Sequence, residues 1–145
     1  MTAQRLFQIV AILAVLGMIV SSVSLQHHFA KSKTSYCDFG ESFNCDLVNR
    51  SQYSSIAGIP VAAIGIAGYA VLLAFATLYR TKAETPALLT FASLGGLGFA
   101  LYLTYVEGFI LQAWCILCLS SLTLISLITL TSAILLGRTM RRARS

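Results

Sequence analysis

Four long apolar runs constrain this chain more than any other feature. They cover residues 6–25, 56–79, 86–105 and 115–136, and about 20 apolar residues cross a bilayer as a helix. Only 10% of the 145 residues are charged, against about 25% in a typical soluble domain. The sequence therefore predicts an all-α integral membrane protein, a single domain over 1–145 that forms a four-transmembrane-helix bundle.

Basic side chains divide unevenly between the two ends of such a bundle. One end would carry seven of them and the other three, namely Arg5, Arg80, Lys82, Arg138, Arg141, Arg142 and Arg144 against Lys31, Lys33 and Arg50. Because cytoplasmic loops of membrane proteins carry an excess of Lys and Arg, we expect both termini to be cytoplasmic. The loop over 26–55, between the first two helices, is then extracytoplasmic. The basic tail is interpreted as an anchor at anionic lipid, and no nucleic-acid partner is expected.

All four cysteines fall on the extracytoplasmic side of this topology. Cys37 and Cys45 lie in the loop after the first run, and Cys115 and Cys118 lie where the fourth run begins. Cysteines confined to the side away from the cytoplasm indicate disulfide chemistry in an oxidising compartment such as the periplasm.

The second cysteine pair has a spacing suited to redox chemistry. On a helix, Cys115 and Cys118 would share one face and differ by about 4.5 Å in height, so their Cα atoms can meet disulfide geometry. Cys115 would lie in the first turn, where the positive helix end favours a thiolate. Cys118 would lie one turn deeper. One sulfur could then exchange with a partner at the surface while the other faces a lipid-soluble molecule.

The cysteine pattern has other interpretations. A Cys-x-x-Cys pair can also be half of a zinc site, or two cysteines in an apolar helix. Four cysteines can bind zinc tetrahedrally, but Cys118 is expected at membrane depth, and no metal is predicted. A structural membrane protein with stable disulfides is the alternative from another class, since Cys37 and Cys45 are spaced to close a small static ring.

The whole pattern resembles the vitamin K epoxide reductase family. The resemblance rests on Cys37-x7-Cys45, then Gly58-Ile59-Pro60, then Cys115-x2-Cys118, and it covers residues 6–136. The stretch 45–51 looks like the prokaryotic members. The resemblance implies a quinone-coupled thiol-disulfide oxidoreductase that reoxidises a thioredoxin-like dithiol protein outside the cytoplasm. The electron acceptor would be a quinone of the menaquinone, ubiquinone or vitamin K type.

The same resemblance implies a role for each cysteine. Cys115 and Cys118 match the active-site pair, with Cys118 beside the quinone ring. Cys37 and Cys45 match a shuttle pair in the loop, with Cys45 exchanging with Cys115. Electrons would therefore pass from the partner to the loop pair, then to the membrane pair, and then to the quinone.

Three further positions are assigned to quinone binding. Ser54 and Ser55 match polar residues near the quinone head group. Leu122 stands where vertebrate members have a tyrosine, four residues after the second active-site cysteine. This departure favours a simple quinone as the substrate. Reduction of vitamin K epoxide or quinone with an external dithiol is the alternative activity.

Two local features complete the sequence-based expectations. Ser54 and Ser55 are also candidate caps for the second helix, which Gly58-Ile59-Pro60 would start near Gly58 or kink early. Glu107 follows the third run, where a carboxylate could relay protons during quinone reduction. The more usual interpretation is that such a residue marks where the helix leaves the membrane.

Overall fold

The structure is a computed structural model that describes residues 2–29, 55–112 and 116–145. Its four helices are α1 (Ala3–Phe29), α2 (Val61–Thr77), α3 (Thr85–Tyr105) and α4 (Ile116–Arg144). A short hairpin of β1 (Ser55–Ile56) and β2 (Ile59–Pro60) precedes α2, and a π-helical segment, Val106–Leu111, follows α3. The predicted helical fold is confirmed.

The helices differ in their ability to cross a bilayer. Three apolar stretches are long enough, namely Ala3–Gln26, Thr85–Ile110 and Ile116–Arg144, whereas α2 is a shorter apolar helix of 17 residues. Within the described residues, the protein thus has three candidate membrane spans and a shorter fourth helix. The exact four-span topology stays a prediction.

The start of the second helix differs from the expectation. Ser55 does not cap a helix, because it pairs with Pro60 in the hairpin, as Ile56 pairs with Ile59. The turn residues Ala57 and Gly58 have φ values of 53° and 83°, the positive values that a tight two-residue turn requires. Glycine adopts this backbone freely, whereas alanine does so at a cost of about 1–2 kcal/mol. Apolar residues of the hairpin therefore mimic the beginning of a helix in a hydropathy pattern.

The helices of the bundle contact one another unequally. α1 packs against α2 and α4, and α3 packs against α4, while the contact between α2 and α3 is the smallest of these four. Gly17 of α1 lies against Tyr69 of α2, and Gly65 of α2 lies against Ser21 of α1, so these two helices run antiparallel. The glycines permit this close approach because they carry no side chain.

The interior of the bundle is solid only in the half that contains both termini. Its buried apolar side chains form one cluster, made of Leu6, Phe7, Val10, Ala14, Tyr69, Leu72, Ala76, Leu89, Ile125, Ile128 and Leu135. Large apolar side chains also cover the outside, including Ile12, Phe91, Leu101, Phe109 and Leu130. A soluble protein rarely exposes so much continuous apolar surface, whereas a bilayer solvates it.

Hydroxyl side chains are accommodated within the helices themselves. Serines and threonines along the bundle donate to the carbonyl oxygen four residues earlier, for example Thr90 to Pro86 and Thr104 to Ala100, each at 2.8 Å. α4 repeats this bond from Ser120, Thr123, Ser126, Thr129, Thr131 and Thr139. A polar side chain whose hydrogen bond stays within its own helix is tolerated in a nonaqueous environment.

Candidate functional site

The other half of the bundle encloses a cavity of about 340 Å³. It lies between the C-terminal ends of α1 and α3 and the N-terminal ends of α2 and α4. Small and apolar residues make up most of its wall, including Val61, Ala62, Gly65, Gly68, Ala92, Gly95, Gly96, Phe99, Ala100 and Leu103. Small-molecule sites in proteins have volumes of about 300–1,000 Å³ and this kind of lining.

Sequence spacing explains why the cavity forms. The small residues of α3 that line it, Ala92, Gly96 and Ala100, recur every four residues and therefore share one face. Gly65 and Gly68 supply the same feature on α2. Where neighbouring helices present backbone instead of side chains, space is left between them that the rest of the bundle fills with Leu and Ile.

The cavity opens sideways between α2 and α3. Gly68 and Gly95 both line it and both are exposed, and a side chain added at either position would meet no atom within 4 Å. The contact between these two helices is also smaller than that of α1 with α2, of α1 with α4 or of α3 with α4. We therefore expect a lipid-soluble molecule to enter the cavity between these two helices.

A few polar groups interrupt the apolar wall. They are Ser21 and Ser24 of α1, Tyr69 of α2, Glu107 of the π-helical segment, and Cys118 and Ser121 of α4. The Tyr69 hydroxyl lies 2.8 Å from Oγ of Ser121 and donates to the Ser121 carbonyl oxygen at 3.0 Å. This bond crosses the bundle between α2 and α4 and forms the polar part of the cavity floor.

Cys118 lies on the cavity wall, one helical turn before Ser121 on α4. It is the third residue of α4 as described, and it shares its helix face with Ser121 and Ile125, which also line the cavity. The cysteine side chain is partly buried. Its side chain therefore borders the space that a bound molecule would occupy.

Glu107 is buried inside the bundle, near the end of the third apolar stretch. Its side chain is only 1% exposed, it lines the cavity, and it belongs to the apolar stretch Thr85–Ile110. The π-helical segment ends at Leu111. The next residue, Gln112, has a left-handed backbone, and its amide donates to the Glu107 carbonyl oxygen. π-helical turns inside helices occur frequently at functional sites.

A sequence signal for Glu107 was available. Glu107 lies seven residues after Ala100 and eleven after Gly96, spacings that put all three on one helix face. The helix face that carries these small residues therefore also carries the Glu107 carboxyl group. Tyr69, Ser21 and Ser24 carried no comparable signal, since their place in the cavity depends on how separate helices pack.

The structure describes only some of the predicted site residues, and these differ in whether they line the cavity. Cys118 lines the cavity, whereas Cys37, Cys45, Cys115 and Ser54 lie outside the described residues. Ser55 is part of β1 and Leu122 part of α4; neither is among the described residues that line the cavity. Their assignment to quinone binding stays a prediction.

Comparison with known families agrees with this geometry. The sequence profile of the Vitamin K epoxide reductase family matches residues 8–133, a range that contains all four cysteines and reaches from α1 into the second half of α4. Proteins of this family are membrane oxidoreductases whose thiol chemistry is generally linked to quinones. This chain belongs to the vitamin K epoxide reductase family.

Proposed function

We propose that this protein is a quinone-dependent, disulfide-forming oxidoreductase that reoxidises a thioredoxin-like dithiol protein. The observation that carries the proposal is the position of Cys118 on the wall of an apolar cavity of about 340 Å³. A quinone head group is a flat, largely apolar ring with two carbonyl oxygens. It suits a cavity with mostly apolar walls and a few convergent polar groups.

The electron balance of the proposed reaction is simple. A reduced partner gives two electrons and two protons to the Cys37–Cys45 disulfide, and the resulting loop dithiol reduces the Cys115–Cys118 disulfide by exchange. Thiol-disulfide exchange of this kind proceeds through a mixed disulfide, here between Cys45 and Cys115. Cys118 then passes the electron pair to the quinone, and the disulfide with Cys115 forms again. The quinone supplies the oxidising power.

The distribution of charge supports an orientation for this reaction. All Lys and Arg residues within the described ranges are on the termini or on the connection between α2 and α3, away from the cavity. They are Arg5, Arg80, Lys82, Arg138, Arg141, Arg142 and Arg144. The positive-inside rule favours a cytoplasmic location for that end, with the cavity and Cys118 towards the extracytoplasmic side.

Site-directed labelling tests this orientation. In a cysteine-free variant, single reporter cysteines at Thr2, Ser42, Lys82 and Ser145 should react with an impermeant reagent added outside the cell only at Ser42. All four should react after the membrane is opened, which controls for accessibility. External labelling at Ser145 would contradict the orientation and the proposed side of the chemistry.

Quinone reduction by the purified protein tests the activity. A short-chain benzoquinone should be reduced when either a small dithiol or a reduced thioredoxin-like protein is the electron donor. Cys118→Ala should abolish both reactions, while Ser126→Ala, on the exposed face of the same helix, should leave them unchanged. Cys45→Ala should stop oxidation of the protein donor and leave part of the reaction with the small dithiol.

Two results would contradict the proposal. Undiminished quinone reduction in Cys118→Ala would remove the cysteine from the electron path. Stable disulfides in the wild-type protein, resistant to a mild dithiol and to quinone, would instead support a structural membrane protein. Replacing the quinone by vitamin K epoxide as the acceptor separates the proposed activity from epoxide reduction.

A further inference from the structure

Reduction of a quinone in an enclosed apolar cavity requires a source of protons as well as a source of electrons. Each quinone takes up two electrons and two protons to become a quinol. The electrons come from the Cys115–Cys118 dithiol, but the protons must reach oxygen atoms that an apolar wall separates from water. A side chain on that wall that can release and recover a proton would meet this need.

Three described residues on the wall can hold an ionisable proton, namely Tyr69, Glu107 and Cys118. Cys118 is the electron donor. The Tyr69 hydroxyl is engaged with Ser121 at the floor, and a phenol is a much weaker acid than a carboxyl group. Among the described α1 side chains that line this space, the polar ones are Ser21 and Ser24. Glu107 is therefore the one carboxyl group in the described part of the wall.

We propose that Glu107 is the proton donor to the quinone oxygen, an inference that rests on the proposed function. Glu107 is 1% exposed and lines the same cavity as Cys118. Burial of an ionisable group in a membrane helix is costly, and such groups usually serve a function. Glu84, the other described acidic residue, is exposed.

The step balances without any additional reactant. As Cys118 and Cys115 give up two electrons and form their disulfide, their thiols release two protons. The protonated Glu107 carboxyl group gives its proton to one quinone oxygen and recovers a proton from those the thiols release. The second thiol proton completes the quinol. Glu107 therefore ends the cycle as it began, protonated.

The variants Glu107→Gln and Glu107→Asp separate proton transfer from packing. Glutamine has almost the same shape and hydrogen-bonding capacity but cannot donate a carboxyl proton, whereas aspartate keeps the carboxyl group on a shorter stem. Glu84→Gln makes the same chemical change at an exposed site and is the matched control. Three quantities would be measured for each protein: binding of a short-chain benzoquinone, the rate of its reduction from pH 5 to pH 9, and reduction of the protein's own disulfides by a small dithiol without quinone.

The proposal predicts a specific combination of results. Loss of a general acid lowers a rate by about 10²–10⁴-fold, so Glu107→Gln should slow quinone reduction by about 10²-fold or more. It should also remove the pH dependence that Glu107 contributes. Quinone binding and disulfide reduction should stay within about twofold of wild type. Glu107→Asp should retain part of the rate and the pH dependence, and Glu84→Gln should behave as wild type.

An infrared difference spectrum gives a readout that is independent of the rate. Adding quinone to the reduced protein should change a protonated carboxyl band, and Glu107→Gln should lose that band while Glu84→Gln keeps it. If Glu107→Gln does not fold, Glu107→Asp decides the question through the position of the band and the pH profile. A wild-type rate and profile in Glu107→Gln, or an unshifted band in Glu107→Asp, would overturn the role of Glu107 alone. Failure of the wild-type protein to reduce any quinone would overturn the proposed function, and this inference with it.

Discussion

The hydroxyl oxygen of Tyr69 lies 2.8 Å from Oγ of Ser121, one helical turn beyond Cys118 on α4. This contact joins α2 to α4 across the bundle and separates the packed half from the hollow half. The Tyr69 ring and its hydrogen bond to Ser121 therefore form the floor of the cavity. Tyr69 and Ser121 can each be substituted separately.

Removing the Tyr69 hydroxyl should weaken the bundle. Hydrogen bonds between membrane helices contribute about 0.6 kcal/mol on average and about 1.7 at most, so we expect Tyr69→Phe to lower the free energy of unfolding by about 0.5–1.5 kcal/mol. Ser121→Ala should cost less, because the phenol can still donate to the Ser121 carbonyl oxygen at 3.0 Å. Ser120→Ala is the control, since that hydroxyl bonds within its own helix. Equal stability of all three variants in detergent unfolding experiments would contradict this account of the floor.

A side chain at Gly17 should displace the Tyr69 ring. An added Cβ would overlap the ring carbons Cδ1, Cε1 and Cζ, and forcing a methyl group into a packed core costs about 1–3 kcal/mol. We expect Gly17→Ala to lower the midpoint of thermal unfolding, with a partial recovery in the double variant that also carries Tyr69→Leu. Gly98→Ala, where nothing lies within 4 Å, should be neutral or slightly stabilising. The absence of coupling between positions 17 and 69 would show that the ring can move away freely.

Filling the opening between α2 and α3 should exclude the quinone without unfolding the protein. Gly68→Leu and Gly95→Leu place side chains in open space on the cavity wall, and leucine is a better helix former than glycine. We expect the KM for a short-chain benzoquinone to rise by about tenfold, on the basis of one poorly accommodated side chain costing about 1.4 kcal/mol. Gly98→Leu is the matched control, because Gly98 is exposed but does not line the cavity. An equal effect in all three variants would argue against this route of entry.

Loss of Cys118 should trap the exchange between the two cysteine pairs. In the proposed relay Cys118 resolves the Cys45–Cys115 mixed disulfide by attacking Cys115. Cys118→Ala should therefore accumulate that bond after incubation with a reduced thioredoxin-like protein, and acid quenching, alkylation and mass spectrometry would identify the linked peptides. The additional substitution Cys45→Ala should abolish the linked species. An intact Cys37–Cys45 bond with unlinked Cys115 in nearly all molecules would contradict the relay.

Hydropathy predicted the helical fold well because a membrane helix is specified by composition over about 20 residues. The predicted start at residue 86 is one residue from the observed start of α3 at Thr85. Hydropathy failed where apolar character does not distinguish one conformation from another. Ile56 and Ile59 lie in a hairpin, and α4 continues to Arg144 because its basic tail also forms helix readily.

The candidate site was only partly predictable for a related reason. Cys118 belongs to a motif with a recognisable spacing, so it could be found without coordinates. Tyr69 reaches the cavity because Gly17 permits its ring to lie against α1, a relation between two helices that no local pattern contains. Glu107 was predictable in part. The sequence indicates the helix face on which it lies, but not that its side chain is buried in the bundle.

The short length of α2 makes bilayer thickness relevant to this protein. A helix of 17 residues is about 26 Å long, whereas a typical hydrocarbon core measures about 30 Å. The difference falls on the exposed side chains at its two ends, Ile56 and Ile59 in the hairpin and Leu78 after the helix. Hydrophobic mismatch of this kind is relieved by local thinning of the membrane or by a change in tilt. Because α2 carries Gly68 and has a smaller contact with α3 than with α1, a change in its tilt would alter the width of the gap beside the cavity.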